Sequence, residues 1–366
     1  MERTDVAVVG GGIAGASLAY HLAQAGVGVH VLERAPGLGA HASGRNAGLV
    51  LQPVLPPLVR AWTAASARVW AERAGEVGFQ RDGSLLLATR ATLAALRDEA
   101  LFESELLDTD AVPARMPSLS GPWLGTASGE RTGLWTPGDG VLDPERVLAF
   151  FVTGARAAGA RVDLGAEVHA LRGGDDDGFE LACDGRTLRA ARVVVAAGAW
   201  ANEVAACAGS ATLPLVAYKR HLFLLGGHRP PAHAPYVWDL GRDVYWRTHA
   251  EGVLACFCDE EPTAALAETI TPGSEDVLRE RLAATFPWLA DAPLVRAWSC
   301  FRTKTPDLLP AIGPDPRVPG LHWLAGLGGY GLCTSWEVGR LAARGLIGGD
   351  AALPAEVLPA RFATAS

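Results

Sequence analysis

After five mostly polar residues, apolar positions form one unbroken run. Val6, Ala7, Val8 and Val9 have no polar residue among them, as a parallel strand buried on both faces requires. Residues 13–25 then carry Ala, Leu and Tyr at helical spacing, and residues 27–32 form a second apolar strand that ends at Glu33. Residues 144–159 read as a helix and 161–170 as the next strand, which continues the β–α alternation. Residues 192–200, RVVVAAGAW, run from a strand into a turn of small residues.

The rhythm changes between 215 and 258. LVAYKRHLFLL, YVWDL, DVYWRT and VLACFC are short strands, with turn residues at 226–227, 241–242 and 250–252. They predict an antiparallel sheet. Residues 274–289 read as a helix. Near the C-terminal end, His322 to Ala325 is a strand, Gly326 to Gly331 a glycine-rich loop, and residues 334–346 a helix.

Between the first strand and the first helix, Gly10, Gly12 and Gly15 fit G-x-G-x-x-G. The first glycine permits a tight turn, the second lets the backbone approach a pyrophosphate, and the third lets the helix pack close to the strand. The unpaired N–H groups and positive dipole end of that helix suit a diphosphate. Glu33 stands where a ribose-binding carboxylate belongs. A bare tight turn needs none of the strand, helix and acid around the glycines. The four together predict a dinucleotide site without separating FAD from NAD.

Composition narrows the classes. The 366 residues exceed one simple core, so two domains are expected. The net charge of −8, with no cluster of Lys and Arg, argues against a nucleic-acid surface. Six cysteines form no C-x-x-C, so no zinc or other metal site is expected, and buried free thiols are the simplest reading. Asp175 to Asp177 form a solvated turn. No apolar run reaches the roughly 18 residues of a membrane span. No signal peptide is evident, so a cytoplasmic location is expected.

Three further segments favour FAD: HASGRNAG at 41–48, RVVVAAGAW at 192–200, and TPDLLPAIGPDP at 305–316 with the glycine-rich stretch after it. Together they resemble the D-amino-acid oxidase-like family of FAD enzymes, which includes glycine oxidase, sarcosine oxidase and the D-amino-acid dehydrogenases. The resemblance covers nearly the whole chain. VRAWTAAS (59–66), YKRHLFLL (218–225) and GGYGLCTS (328–335) are similar to bacterial D-arginine dehydrogenase. The implied fold is α/β, a Rossmann-like FAD-binding domain (1–85, 141–214 and 297–366) interleaved with a mostly antiparallel α+β substrate-binding domain (86–140 and 215–296).

The resemblance implies that Gly10, Gly12, Ile13, Ala14, Gly15, Glu33 and Arg34 hold the ADP half of FAD. It places Ser43, Arg45, Asn46 and Gly48 near the ribityl chain and flavin ring, and Val168 at the adenosine side. Ala197, Gly198 and Trp200 pass under the dinucleotide, although Trp200 is equally readable as a core aromatic. Gly328, Gly329, Tyr330, Gly331 and Leu332 lie near the flavin pyrimidine edge, where N–H groups stabilise charge.

The implied reaction is oxidation of the C–N bond of a small amino acid or amine to the imine, by hydride transfer to flavin N5. D-amino acids, glycine and N-methyl amino acids are all open, and so is the choice between oxygen and another electron acceptor. The family places a carboxylate-binding Arg shortly before T-P-D, which is Arg302 here; its planar fork suits a carboxylate. Tyr245, in DVYWRT, matches a pocket Tyr. Tyr330 is a further candidate, whose phenol could also pack outward. Arg220 and His221 are weaker ones.

Two departures stand out. Leu49, Val50 and Leu51 replace polar and aromatic residues of the D-arginine dehydrogenase loop, which favours an apolar or compact substrate. Cys300, with Thr303, Thr305 and Asp307, resembles the sarcosine and pipecolate oxidase pattern in which a Cys carries the flavin as a thioether. Against that, Arg302 and Pro306 resemble the non-covalent branch. The alternative function is a flavoprotein subunit of a larger electron-transfer or amine-oxidising complex; an NAD-dependent dehydrogenase is a third. Oligomeric state is not legible.

Overall fold

The computed structural model describes residues 2–116, 131–175, 178–227, 230–231, 233–263 and 267–363; Asp176 and Asp177 of the acidic turn lie outside them. Two large sheets organise these residues.

The first sheet holds β1 (Glu2–Val9), β2 (Val29–Glu33), β8 (Arg161–Leu164), β9 (Val168–Asp175), β10 (Gly178–Cys183), β11 (Arg186–Val195), β18 (Ala311–Pro314) and β19 (Leu321–Ala325). Its path is β18-β19-β11-β1-β2-β8. Strand β1 is parallel to both neighbours, with Val8 opposite Val31 on β2 and opposite Val194 on β11. Alternate residues of β1 enter two separate cores. Val6 and Val8 pack with Leu18, Leu22 and Leu341 on one face, and Ala7 and Val9 with Leu181 and Trp323 on the other. Burial on both faces is why the run carries no polar residue.

Helices α1 (Ile13–Gln24), α2 (Pro57–Glu72), α3 (Pro144–Ala157), α4 (Ser274–Thr285) and α5 (Ser335–Gly348) are the long ones. Helix α1 lies against α3 and α5. Asp143 caps α3, its carboxylate accepting from the N–H groups of Glu145 and Arg146. Among the described residues, no helix is long and apolar enough to cross a membrane.

The second sheet takes β4 (Ser84–Thr89), β5 (Glu105–Leu107), β6 (Arg131–Thr136), β12 (Val216–Leu225), β13 (Tyr236–Asp239), β14 (Val244–His249), β15 (Gly252–Cys256), β16 (Glu261–Pro262) and β17 (Leu294–Lys304). Most of its pairs are antiparallel; β4 and β13 are parallel. Strands β3 (Leu49–Val50) and β7 (Gly140–Val141) pair separately. One face of the second sheet packs Phe223, Trp246 and Val253 on Leu278 and Leu282 of α4. The opposite face packs Leu222, Tyr245, Cys256 and Cys300 against Ala42, Ala47 and Leu49. The segment from 42 to 49 therefore lies between the glycine turn and the second sheet.

Two elements differ from their sequence reading. The strand expected over 161–170 is two strands: β8 continues the parallel sheet, and β9 turns away to pair antiparallel with β10. Gly165, at φ +64°, makes the break. The helix expected over 274–289 ends at Thr285, and a separate short turn, Pro287–Ala290, follows.

Candidate active site

At the end of β1 the chain turns sharply into α1. Gly10 has φ +112°, and a Cβ there would lie 2.5 Å from the carbonyl oxygen of Ala196. A Cβ on Gly15 would lie 2.0 Å from the oxygen of Gly10, so helix and turn are in direct contact. The first N–H groups of α1 have no carbonyl within the helix to bond. One of them, that of Ile13, donates to Ser43 Oγ at 2.8 Å. Glu33 closes the other side: its carboxylate accepts from the N–H of Gly11 at 2.7 Å and from that of Ala35 at 2.8 Å. Each oxygen keeps a second lone pair for a ligand hydroxyl.

This turn opens onto a cavity of about 410 Å³. Its walls bring together Gly10, Gly12, Ile13, Ala14, Glu33, Arg34, Ser43, Asn46, Val168, Ala197, Gly198 and Trp200 from the N-terminal two-thirds of the chain. From the C-terminal third come Arg302, Gly328, Gly329, Gly331 and Leu332. Trp200 is a wall residue and not a core aromatic. Arg34 stacks its guanidinium 3.9 Å from the Trp200 ring centre, and the His41 ring lies 4.6 Å away. Cation–π contact explains why a charged Arg lies flat there.

Among the candidate site residues, Gly15, Arg45, Gly48, Tyr245 and Tyr330 do not line this cavity, nor do Arg220, His221 and Cys300. Gly15 lies beneath the turn. Gly48, at φ +74°, packs its α-carbon near the carbonyl of Leu142. Arg45 pairs with Glu268 at 2.9 Å, and Glu268 also holds His41 at 3.1 Å. The Tyr330 hydroxyl donates to the carbonyl of Leu308, which turns the phenol away. Tyr245 lies in a row across the second sheet, where Leu86 stands opposite Trp238, Trp238 opposite Tyr245, and Tyr245 opposite Cys256. Leu222 packs beside Cys256 and faces Trp298 across the next ladder. Burial pushes the Tyr245 phenol well above its ordinary pKa, with Arg220 and Arg302 opposing that rise.

Arg302 stands at the junction of cavity and sheet, and it is buried. Its Nη1 donates to Cys300 Sγ at 2.9 Å and to the carbonyl of Phe301 at 3.4 Å. Among the described residues no carboxylate lies within 4.0 Å of it. Neighbouring basic side chains on the β12–β17 ladder, unlike Arg302, have carboxylates beside them. Arg220 reaches Glu260 at 3.1 Å, Lys304 pairs with the same Glu260, and His221 pairs with Asp259 at 2.7 Å. The Gly326–Gly331 loop is fastened beside Arg302 by the Gly328 N–H, which donates to the carbonyl of Thr303 at 2.8 Å.

Sequence reasoning missed several wall residues, among them His41, Glu167, His169, Cys207 and Phe301. His41 heads the HASGRNAG segment, and Glu167 and His169 flank Val168, so neighbourhood was a usable signal. Cys207 carries none.

One cavity thus joins a glycine cradle, a helix N-terminus and an acid, as a dinucleotide requires, to Arg302, which has no carboxylate beside it among the described residues. The family model described as FAD dependent oxidoreductase matches residues 5–344, and the chain belongs to that family. Its cofactor is FAD, which the cradle fits. Glycine oxidase of Geobacillus kaustophilus is 27% identical over 360 residues, covering 93% of this chain and 92% of that one. Mitochondrial dimethylglycine dehydrogenase of Mus musculus is 27% identical over 388 residues, covering 95% of this chain; the chain spans only 43% of that relative's length. L-Proline dehydrogenase from P. horikoshii shares the fold, with a TM-score of 0.87 at 23% identity over 99% of this chain and 98% of that one.

Proposed function

We propose that this chain oxidises the C–N bond of a small amino acid or amine that carries a carboxylate and a compact, apolar remainder. The observation that carries the reading is Arg302, a buried guanidinium beside the glycine-rich end of the cavity that has no carboxylate of its own among the described residues. Burying an unpaired charge costs several kcal/mol, so the site is built for an anion that arrives with the substrate.

FAD, when bound, supplies the two-electron acceptor. We assign its ADP half to the α1 turn and Glu33, with Arg34 and Trp200 beside the adenosine, and its flavin end to Ser43, Asn46 and Gly328 to Leu332. The first sheet then forms the cofactor unit and the second sheet the substrate unit. Arg302 binds the substrate carboxylate in a bidentate pose and so fixes the α-carbon. The row of Leu86, Trp238, Tyr245, Cys256, Leu222 and Trp298, packed on Ala47 and Leu49, lies beside the cavity without lining it and is assigned as an apolar floor behind the substrate end that keeps water out. Glycine, N-methyl amino acids and cyclic imino acids fit such a floor, and a guanidinium side chain has no partner there. No nucleophilic side chain is required. The reduced flavin then passes its electrons to oxygen or to another acceptor, and a cytoplasmic location belongs to the same reading.

The test is anaerobic. The purified yellow protein is mixed with glycine, sarcosine, proline and a set of D- and L-amino acids while its visible band is followed. Bleaching by apolar or compact members, and not by arginine, is the expected result. Bleaching by no member while dithionite still reduces the flavin would sink the proposal.

A further inference from the structure

We infer that Cys300 is a positioning residue, which aims Arg302 into the cavity and is not a point of flavin attachment. The inference rests on the reading of Arg302 as the carboxylate ligand. On the β12–β17 ladder Cys300 stands opposite Arg220, two residues along the strand from the Tyr218–Arg302 pair. Its side chain is fully enclosed. The thiol makes polar contacts of opposite sense: Sγ accepts from Arg302 Nη1 at 2.9 Å, and S–H donates to the carbonyl oxygen of Arg45 at 3.3 Å, with the carbonyl of Arg220 farther off at 3.9 Å.

Only a neutral thiol performs both roles. A thioether has no proton to donate to Arg45, and a thiolate has none either. Burial pushes the Cys300 thiol up in pKa, which keeps the proton in place. The Arg45 carbonyl is itself held. Trp298 Nε1 donates to it at 3.0 Å, and the Arg45 guanidinium is anchored on Glu268. The relay therefore runs from the 41–46 loop, whose Ser43 caps α1, through Cys300 to Arg302. Among the described residues, Cys300 is the one polar side chain that restrains the guanidinium. Phe301, Arg302 and Thr303 line the cavity, while the Cys300 sulfur does not reach its wall.

The test compares Cys300→Val, Cys300→Ala and Cys300→Ser with the parent holoenzyme. The readout is the dissociation constant of methoxyacetate and tetrahydro-2-furoate, carboxylates that lack an oxidisable amine, measured from the change they cause in the flavin visible band. Losing a hydrogen bond to a charged donor predicts about tenfold weaker binding in the Val and Ala variants. Flavin content per chain stays at the parent level. Ser, which restores donor and acceptor, is expected within about threefold of the parent. Denaturing the parent releases all of its flavin. Ala and Val binding as tightly as Ser, with Arg302→Ala still weakened, overturns the inference alone; so does flavin retained on the denatured chain. Should Arg302→Ala bind as the parent does, or the parent bind neither carboxylate, the Arg302 reading fails and this inference with it.

Discussion

A Cβ placed on Gly329 would lie 2.4 Å from Cδ of Arg302. Loop and arginine are in contact, and the loop backbone forms one side of the slot that holds the guanidinium. Gly329 also has φ +98°, a conformation that L side chains rarely adopt. Gly329→Ala therefore meets both strain and collision. The expected outcome is at least tenfold weaker carboxylate binding and a lower thermal midpoint. Titration and calorimetry check the two effects separately; an unchanged dissociation constant would show that the contact is not restrictive.

Arg302→Lys keeps a positive charge and loses the planar fork. Arg302→Ala loses both. Truncating one partner of a buried, hydrogen-bonded charge pair costs about 2–5 kcal/mol. KM for an amino acid substrate should rise at least thirtyfold in the Ala variant and less in the Lys variant. An amine without a carboxylate should be insensitive to both changes. Steady-state kinetics with a matched pair of substrates makes the comparison, and equal losses on both would contradict the assigned role.

Glu33 holds the N–H groups of Gly11 and Ala35 with its two carboxylate oxygens. In Glu33→Gln one of those N–H groups faces an NH₂. Hydrogen bonds to charged groups are worth about 1.5–3 kcal/mol, so FAD should bind roughly ten- to a hundredfold more weakly. Equilibrium dialysis of the flavin measures this directly. Retention equal to the parent would remove Glu33 from the cofactor site.

Asp139 lies fully buried, where its carboxylate accepts from Gln52 Nε2, from Ser84 Oγ at 2.7 Å and from Tyr236 Oη at 3.3 Å. Burial pushes its pKa up to about 7, from an ordinary 3.8. The folded chain thus keeps a proton that the unfolded chain releases above about 3.8. The stability this group contributes is full below that pH and is lost as pH climbs through about 7. Asp139→Asn does not titrate. The melting temperature of the parent minus that of the variant should fall steadily between pH 4.5 and 7.5, and a flat difference would contradict the raised pKa.

Local chemistry explains which parts of the fold were legible. The glycine turn and the loop at 326–331 depend on backbone conformations that only a few residue types adopt, and Glu33 is a carboxylate at the end of an apolar strand, so their sequence signal is strong. Arg302 was singled out through the resemblance, which places an arginine shortly before the T-P-D of Thr305 to Asp307. The change of partner at Gly165 was not, because β8 and β9 carry similar alternation and differ only in which distant strand they meet. The parallel pairing of β4 with β13 is likewise a long-range choice. Tyr330 shows the same limit at the site: the carbonyl of Leu308 decides where its phenol points.

The same long-range pairing governs the order in which the protein can assemble. Strand β1 is completed on one side by β11, and α1 is covered by α5, which is encoded near the far end of the chain. At synthesis rates of about 5–20 residues per second, β1 waits roughly ten to forty seconds for that partner. During that interval the nascent chain carries a strand with both faces apolar and one open edge, the kind of segment most exposed to wrong pairing.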